Sequence, residues 1–130
     1  MAISIVRLAS PRGEHEGLRI GTVRRPPRGV PKIEFASRDY YDVWLPNLAP
    51  SAALMAKGRA ATSDAEWQHF EHAYRKEMAA PDAAHLIDTL AALSHTSAFA
   101  LGCYCERASR CHRGILRQLL SERGAALITS

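Results

Sequence analysis

All three cysteines of this chain, Cys103, Cys105 and Cys111, fall within nine positions. His112 follows directly, and Arg107, Arg110 and Arg113 are interleaved with them. These side chains can supply a nucleophile, a proton carrier and an oxyanion clamp. An apolar run, Ser97-Ala98-Phe99-Ala100-Leu101, precedes the group, and an amphipathic run, Ile115-Leu116-x-x-Leu119-Leu120, follows it. That order reads as strand, polar loop, helix. In α/β proteins the carboxyl end of a strand is where ligands gather.

Three readings of this loop stand side by side. In the first, Cys111 lies in the first turn of a helix, where free N–H groups and the helix dipole favour negative charge. A thiolate there would have a lowered pKa, helped by Arg110 and Arg113. Cys111 and His112 are then the candidate catalytic residues, and Arg110 and Arg113 the anion holders. Counted from Cys105 the phosphatase loop is not met, because Arg110 falls one position early for a Cys, five residues, Arg pattern. In the second reading the thiols and His112 bind metal. Cys103 and Cys105 flank Tyr104 on one face of a strand, roughly 6–7 Å apart. Their spacing does not fit the two-to-four-residue spacers of structural zinc sites, so no metal site is read from it. In the third, the cysteines are small apolar residues in the core.

A second basic element is Arg24-Arg25-Pro26-Pro27-Arg28-Gly29-Val30-Pro31. Three prolines remove donors and fix φ, so this is a loop. Its stiffness lowers the entropy lost on binding, and arginine grips oxyanions with two donors. Arg24, Arg28 and Lys32 are therefore candidate ligand-binding residues; the alternative is a rigid surface turn. Glu66-x-x-His69 has the spacing of a di-iron ligand pair, but the second pair such a site needs is missing. No Ser-His-Asp set and no phosphate-binding glycine loop is present.

The elements that must position these groups are legible in outline. Residues 3–8 and Leu18–Val23 read as strands. Tyr40–Pro46 contains a short extended piece, and Ser51 caps a short helix ending near Gly58. Ser63-x-x-Glu66 is a capping box, and Trp67, Phe70, Tyr74 and Met78 form one helical stripe behind it. Asp82 caps a further helix bearing Leu86, Leu90 and Leu93. Thr96–Cys103 is mostly apolar and reads as a central strand buried on both faces. The helix after Cys111 stops at Gly124, and Ala125–Thr129 closes as a short strand, parallel to its βαβ partner and joined right-handedly. The expected fold is α/β: a single small domain over residues 1–130, with an open, mostly parallel sheet of about four strands and helices packed on it.

With 130 residues, 47% of them apolar and 23% charged, the chain can bury a core without disulfides or metal. No apolar run approaches the length of a membrane span, and Met1–Ser10 lacks the form of a signal peptide. The expected location is the cytoplasm, where thiols stay reduced. Charge is unevenly spread. Residues 1–38 carry eight Lys/Arg against three Glu, residues 39–100 four basic against eight acidic, and residues 101–130 five Arg against two Glu. If the basic ends meet, they form a cationic face suited to phosphate-bearing partners.

Together these residues resemble the domain-of-unknown-function family 488, the YeaO-like proteins. The matching positions are Pro27-Arg28-Gly29, Lys32, Trp44, Pro50-Ser51, Trp67, Phe70, Tyr74, Cys103 and Cys111-His112-Arg113. The resemblance spans roughly residues 5–125, and Cys-His-Arg before an amphipathic helix is its most specific part. Members typically carry Asp-Arg-Leu-Trp-Pro-Arg-Gly where this chain has Val23-Arg24-Arg25-Pro26-Pro27-Arg28-Gly29, so the acid and the Trp of that loop are missing here. The family has no established activity, and the resemblance leaves the cofactor unknown. It supports the fold and draws attention to Arg28 and Cys111-His112-Arg113.

The leading functional expectation is binding of a phosphate-bearing small molecule or nucleic acid where the 24–32 loop meets the 103–113 loop. Cys111 or His112 would do any chemistry there. Two alternatives are a non-catalytic nucleic-acid-binding module and a thiol redox or metal sensor.

Overall fold

The computed structural model describes residues 1–105 and 110–128. Its strands are β1 (Ile3–Arg7), β2 (Leu18–Gly21), β3 (Val43–Trp44) and β4 (Phe99–Cys103). Its helices are α1 (Ala52–Ala60), α2 (Asp64–Met78), α3 (Pro81–Leu93) and α4 (His112–Glu122), with 3-10 turns at Lys32–Glu34 and Pro46–Leu48. This is the expected single α/β domain: one sheet, ordered β1-β4-β2-β3, with every pair parallel. No helix among the described residues is long and apolar enough to cross a membrane.

β4 is central and buried at all five positions, as its unbroken apolar run requires. Leu101 pairs with Ile5 on one side and Ile20 on the other. Ile3, Ile20, Phe99 and Leu101 join Phe70, Tyr74, Ile87, Leu116 and Leu120 in the main core. Gly21 and Gly102 pair across the strands, and a Cβ at either would strike the ring of Tyr41 or the side chain of Leu8. Glycine at these two places lets Tyr41 and Leu8 lie directly on the sheet.

The helix stripe holds. Phe70, Tyr74 and Met78 are buried, and Trp67 stacks on Phe70 with centroids 4.6 Å apart. Ser63 caps α2, its Oγ accepting from Glu66 N at 3.1 Å. Ser51 caps α1 likewise, and Glu77 of α2 receives both its backbone N–H and its hydroxyl, at 2.9 and 2.7 Å. α1 runs past the expected stop at Gly58 to Ala60. Gly58 instead gives Phe70 room against the helix.

Three boundaries differ from expectation. α3 starts at Pro81 with Ala80 as a cap that makes no side-chain bond, so Asp82 sits in the first turn, where its charge still suits the dipole. β4 starts at Phe99 because the amides of Thr96 and Ser97 both bond to Leu93 O and close α3. Beyond Gly124, at φ +76°, the chain makes one parallel bridge, Leu127 to Ile3, rather than a full strand. Ile3 N and Ile128 N each make a 2.9 Å bond there. Thr129 lies outside the described residues.

One buried charge went unread in the sequence. Arg19 is 0% exposed on β2. It donates to both Glu16 carboxylate oxygens, to Ser10 O at 2.8 Å, to Asp39 O at 2.6 Å and to Pro11 O at 3.3 Å. One guanidinium thus satisfies the turns at 10–16 and at 39. Nearby, Arg12 bridges Asp39 and Asp42.

Candidate functional site

A cavity of about 1010 Å³ opens beyond the carboxyl end of β4. The proline loop from Val23 to Arg28 forms one wall, and Ala52, Met55, Ala56 and Arg59 of α1 another. Cys103, Tyr104, Cys105 and His112 complete it. The two loops singled out in the sequence therefore share one cavity. Tyr104 ties them together, its hydroxyl donating to Arg25 O at 2.9 Å.

The deepest part is a sulfur and imidazole cluster. Cys103 ends β4 and Cys111 is the N-cap of α4, so strand end and helix start bring two buried sulfurs to 2.6 Å. Cys111 Sγ lies 3.8 Å from His112 Nδ1. The other ring nitrogen, Nε2, is 2.7 Å from Thr22 O. A carbonyl can only accept, so Nε2 carries the proton and Nδ1 presents a lone pair towards the thiols. Burial holds the ring's pKa below its usual value and keeps it neutral. Tyr74 meets it edge-on at 5.7 Å and donates its own hydroxyl to Leu48 O at 2.7 Å.

The thiols divide by environment. The neighbouring thiols Cys103 and Cys105, together with burial, push the Cys111 thiol up. Cys103 is also raised, chiefly through its bond to Cys105. Cys105 is lowered, because both neighbours donate S–H to it. Here the structure departs from the expected activated Cys111. A helix N-terminus does not favour ionisation of a thiol that is only 2% exposed and donates its own S–H to neighbouring sulfurs. Cys105 is half-buried and lines the cavity.

The arginines also sort. Arg113 is buried, with NH1 3.3 Å from Val6 O and 3.7 Å from Cys103 Sγ; it braces the cluster from behind. Arg110 turns away to α2, bonding Asp64 at 2.6 Å and lying 5.8 Å over the Trp67 ring. Arg24 lines the cavity, but its donors are taken by Pro50 O and Ala49 O, both at 3.0 Å. Lys32 belongs to a separate hollow of about 480 Å³ beside Phe35, Tyr41 and Trp44. Of the expected anion holders, Arg28 alone both lines the cavity and keeps its guanidinium uncommitted among the described residues. Arg25 and Arg59 share both properties. Arg59 was missed in the sequence, although it follows Met55 by four positions and so shares its helix face. Arg107 lies outside the described residues.

These features define a class: a small parallel α/β domain with its cavity at the carboxyl end of its central strand. The chain belongs to the DUF488-N3a family, described as the active DUF488-N3 subclade, whose model matches residues 3–124. The resemblance drawn from the cysteine loop and its flanking residues is thus borne out. No curated protein and no solved structure matches the chain.

Proposed function

We propose that this protein binds a phosphate-bearing ligand, a nucleotide or a short stretch of nucleic acid, in the cavity between the proline loop and α1. The carrying observation is the lining: four arginines, Arg24, Arg25, Arg28 and Arg59, and no carboxylate among the described residues. Arg24 shapes the wall, while Arg25, Arg28 and Arg59 are available to the phosphate. A cavity of this size holds a nucleotide, and Tyr104, Met55 and the proline faces offer it an apolar surface. The cluster at the floor is the group that would act on the ligand, through Cys105 and His112, which face the cavity, with Cys111 behind them. The family's description as an active subclade accords with chemistry as well as binding.

The test is titration calorimetry with pyrophosphate, a nucleoside triphosphate and a single-stranded oligonucleotide. Each lost charge-assisted bond costs about 1.5–3 kcal/mol, so Arg28→Ala with Arg59→Ala should weaken binding at least about a hundredfold. The unfolding curve should stay unchanged, since neither residue has a partner among those described. If none of the probes binds, or if the double variant binds as well as the parent, the reading is wrong.

A further inference from the structure

We infer that the cluster at the cavity floor is a binding site for a soft divalent cation of the zinc class. Cys103 Sγ, Cys111 Sγ and His112 Nδ1 are the ligands, and the fourth position opens on the cavity beside Cys105. The inference deepens the functional reading above in assigning the floor of the same cavity, yet it stands on the cluster's own geometry.

Four observations carry it. Cys103, Cys111 and His112 present ligand atoms within 4.8 Å of one another, and all three residues are buried. Thiolate sulfur and imidazole nitrogen are the donors that zinc selects. Second, the imidazole is already set for a metal. Its Nε2–H is held by Thr22 O at 2.7 Å, as metal-bound histidines are commonly held, and among the described residues its Nδ1 has Cys111 Sγ, at 3.8 Å, as its one hydrogen-bond neighbour. A tetrahedral site with metal–sulfur bonds of about 2.3 Å and metal–nitrogen bonds of about 2.0 Å separates N and S by about 3.5 Å, close to that distance. Third, Arg113 NH1 lies 3.7 Å from Cys103 Sγ, so the sulfur sits against a guanidinium that would hold it as an outer hydrogen-bond partner of a metal ligand. Fourth, three protein ligands, two of which line the open cavity, match the pattern of a catalytic rather than a structural zinc. The two sulfurs must part from 2.6 Å to about 3.8 Å to share a tetrahedral ion, a movement open to two side chains at the ends of separate elements.

The linear spacing Cys-x-Cys-x5-Cys-His hides this site. Its ligands do not come from a knuckle with a short spacer. Cys103 comes from the end of β4, and Cys111 and His112 from the start of α4.

The whole chain is purified under reducing, chelator-free conditions, and its metal is measured by mass spectrometry without phosphate ligands. It is then loaded with cobalt(II). The expected result is one equivalent of metal per chain, with the intense visible bands and sulfur-to-cobalt charge transfer of a tetrahedral thiolate site. Cys111→Ser and His112→Gln should lose the metal, Cys105→Ser should keep it, and Arg28→Ala with Arg59→Ala should keep it in full. A wild-type measurement stands beside Cys111→Ser, so that misfolding of the variant is not taken for loss of a ligand: zinc should shield Cys103 and Cys111 together from maleimide. Failure to take up stoichiometric metal, a Cys103–Cys111 disulfide in reduced protein, or loss of metal in Cys105→Ser would each overturn the assignment. A wild-type protein that holds its metal but binds none of the phosphate probes would instead count against the ligand reading alone.

Discussion

Gly58→Ala tests whether α1 is pinned against α2. A Cβ there would sit 2.7 Å from Phe70 Cε2 and 2.9 Å from Cδ2. Ordinary contact begins near 3.4 Å, so the pair must separate by 0.7 Å. Phe70 cannot easily yield, being stacked on Trp67 at 4.6 Å and parallel to Tyr74 at 6.3 Å. The strain therefore falls on α1. Overpacking of this kind costs about 1–3 kcal/mol, and replacing a mid-helix glycine by alanine returns about 1 kcal/mol. The net expectation is a loss of about 1 kcal/mol, or about 3–5 °C in Tm for a chain of this size. Urea unfolding followed by circular dichroism reads it. In a Phe70→Leu background the clash is gone, and the same substitution should stabilise by the helix-propensity gain. A Gly58→Ala protein as stable as its parent, with no coupling to position 70, would refute the reasoning. The displaced helix also carries Met55 and Arg59, so phosphate binding should weaken in step with the stability loss.

Arg19→Met should cost about 3–5 kcal/mol, because it leaves the Glu16 carboxylate and several turn carbonyls buried without their donor. Equilibrium unfolding checks this, and a loss under 1 kcal/mol would contradict the buried-pair account. Acid should destabilise the protein in a defined window. Arg12's hydrogen bonds hold Asp42 below the usual carboxylate value; burial pushes Glu16 up, but Arg19 and Gly13 N–H outweigh it and leave it lowered too. Depressed folded pKa values mean carboxylate stability that is complete above about pH 4–5 and lost as pH falls further, while His112, kept neutral by burial, starts to cost stability below the unfolded value of about 6.5, so the urea midpoint should decline gently from there and drop most steeply below about pH 4. Asp42→Asn should flatten part of that fall; an unchanged drop would show that the Arg12–Asp42 pair contributes nothing.

Local signals carried well from sequence to structure. The Ser63 cap, the Trp67-Phe70-Tyr74 stripe and the fully apolar β4 each depend on neighbours a few residues apart, and each stands as expected. Long-range arrangements did not carry. The placing of β4 between β1 and β2 rests on packing that no window reveals, and so does the seat of Val43–Trp44 at one edge of the sheet. Arg19 reads as a surface residue because its acceptors come from turns at 10–11, 16 and 39. At the site, composition pointed to the two loops that line the cavity but not to how each side chain is turned. Burial turned Arg113 and Cys111 inward, Asp64 drew Arg110 away, and the helix face of α1 supplied Arg59. Spacing along the chain gave no sign that sulfurs would meet, yet two elements meeting end to end bring Cys103 and Cys111 to 2.6 Å.

The position of β1 sets a timetable for synthesis. Its neighbours are β4, at Phe99–Cys103, and the bridge at Leu127. Ninety-six residues separate Ile3 from Phe99, its partner in register. At about 5–20 residues per second, a ribosome adds them in about 5–20 s. Throughout that interval Ile3 and Ile5 have no sheet to join, and the strand's open hydrogen-bonding edges face whatever else is nearby. The nascent chain, rather than the finished protein, is where this fold is most exposed to aggregation and to chaperones.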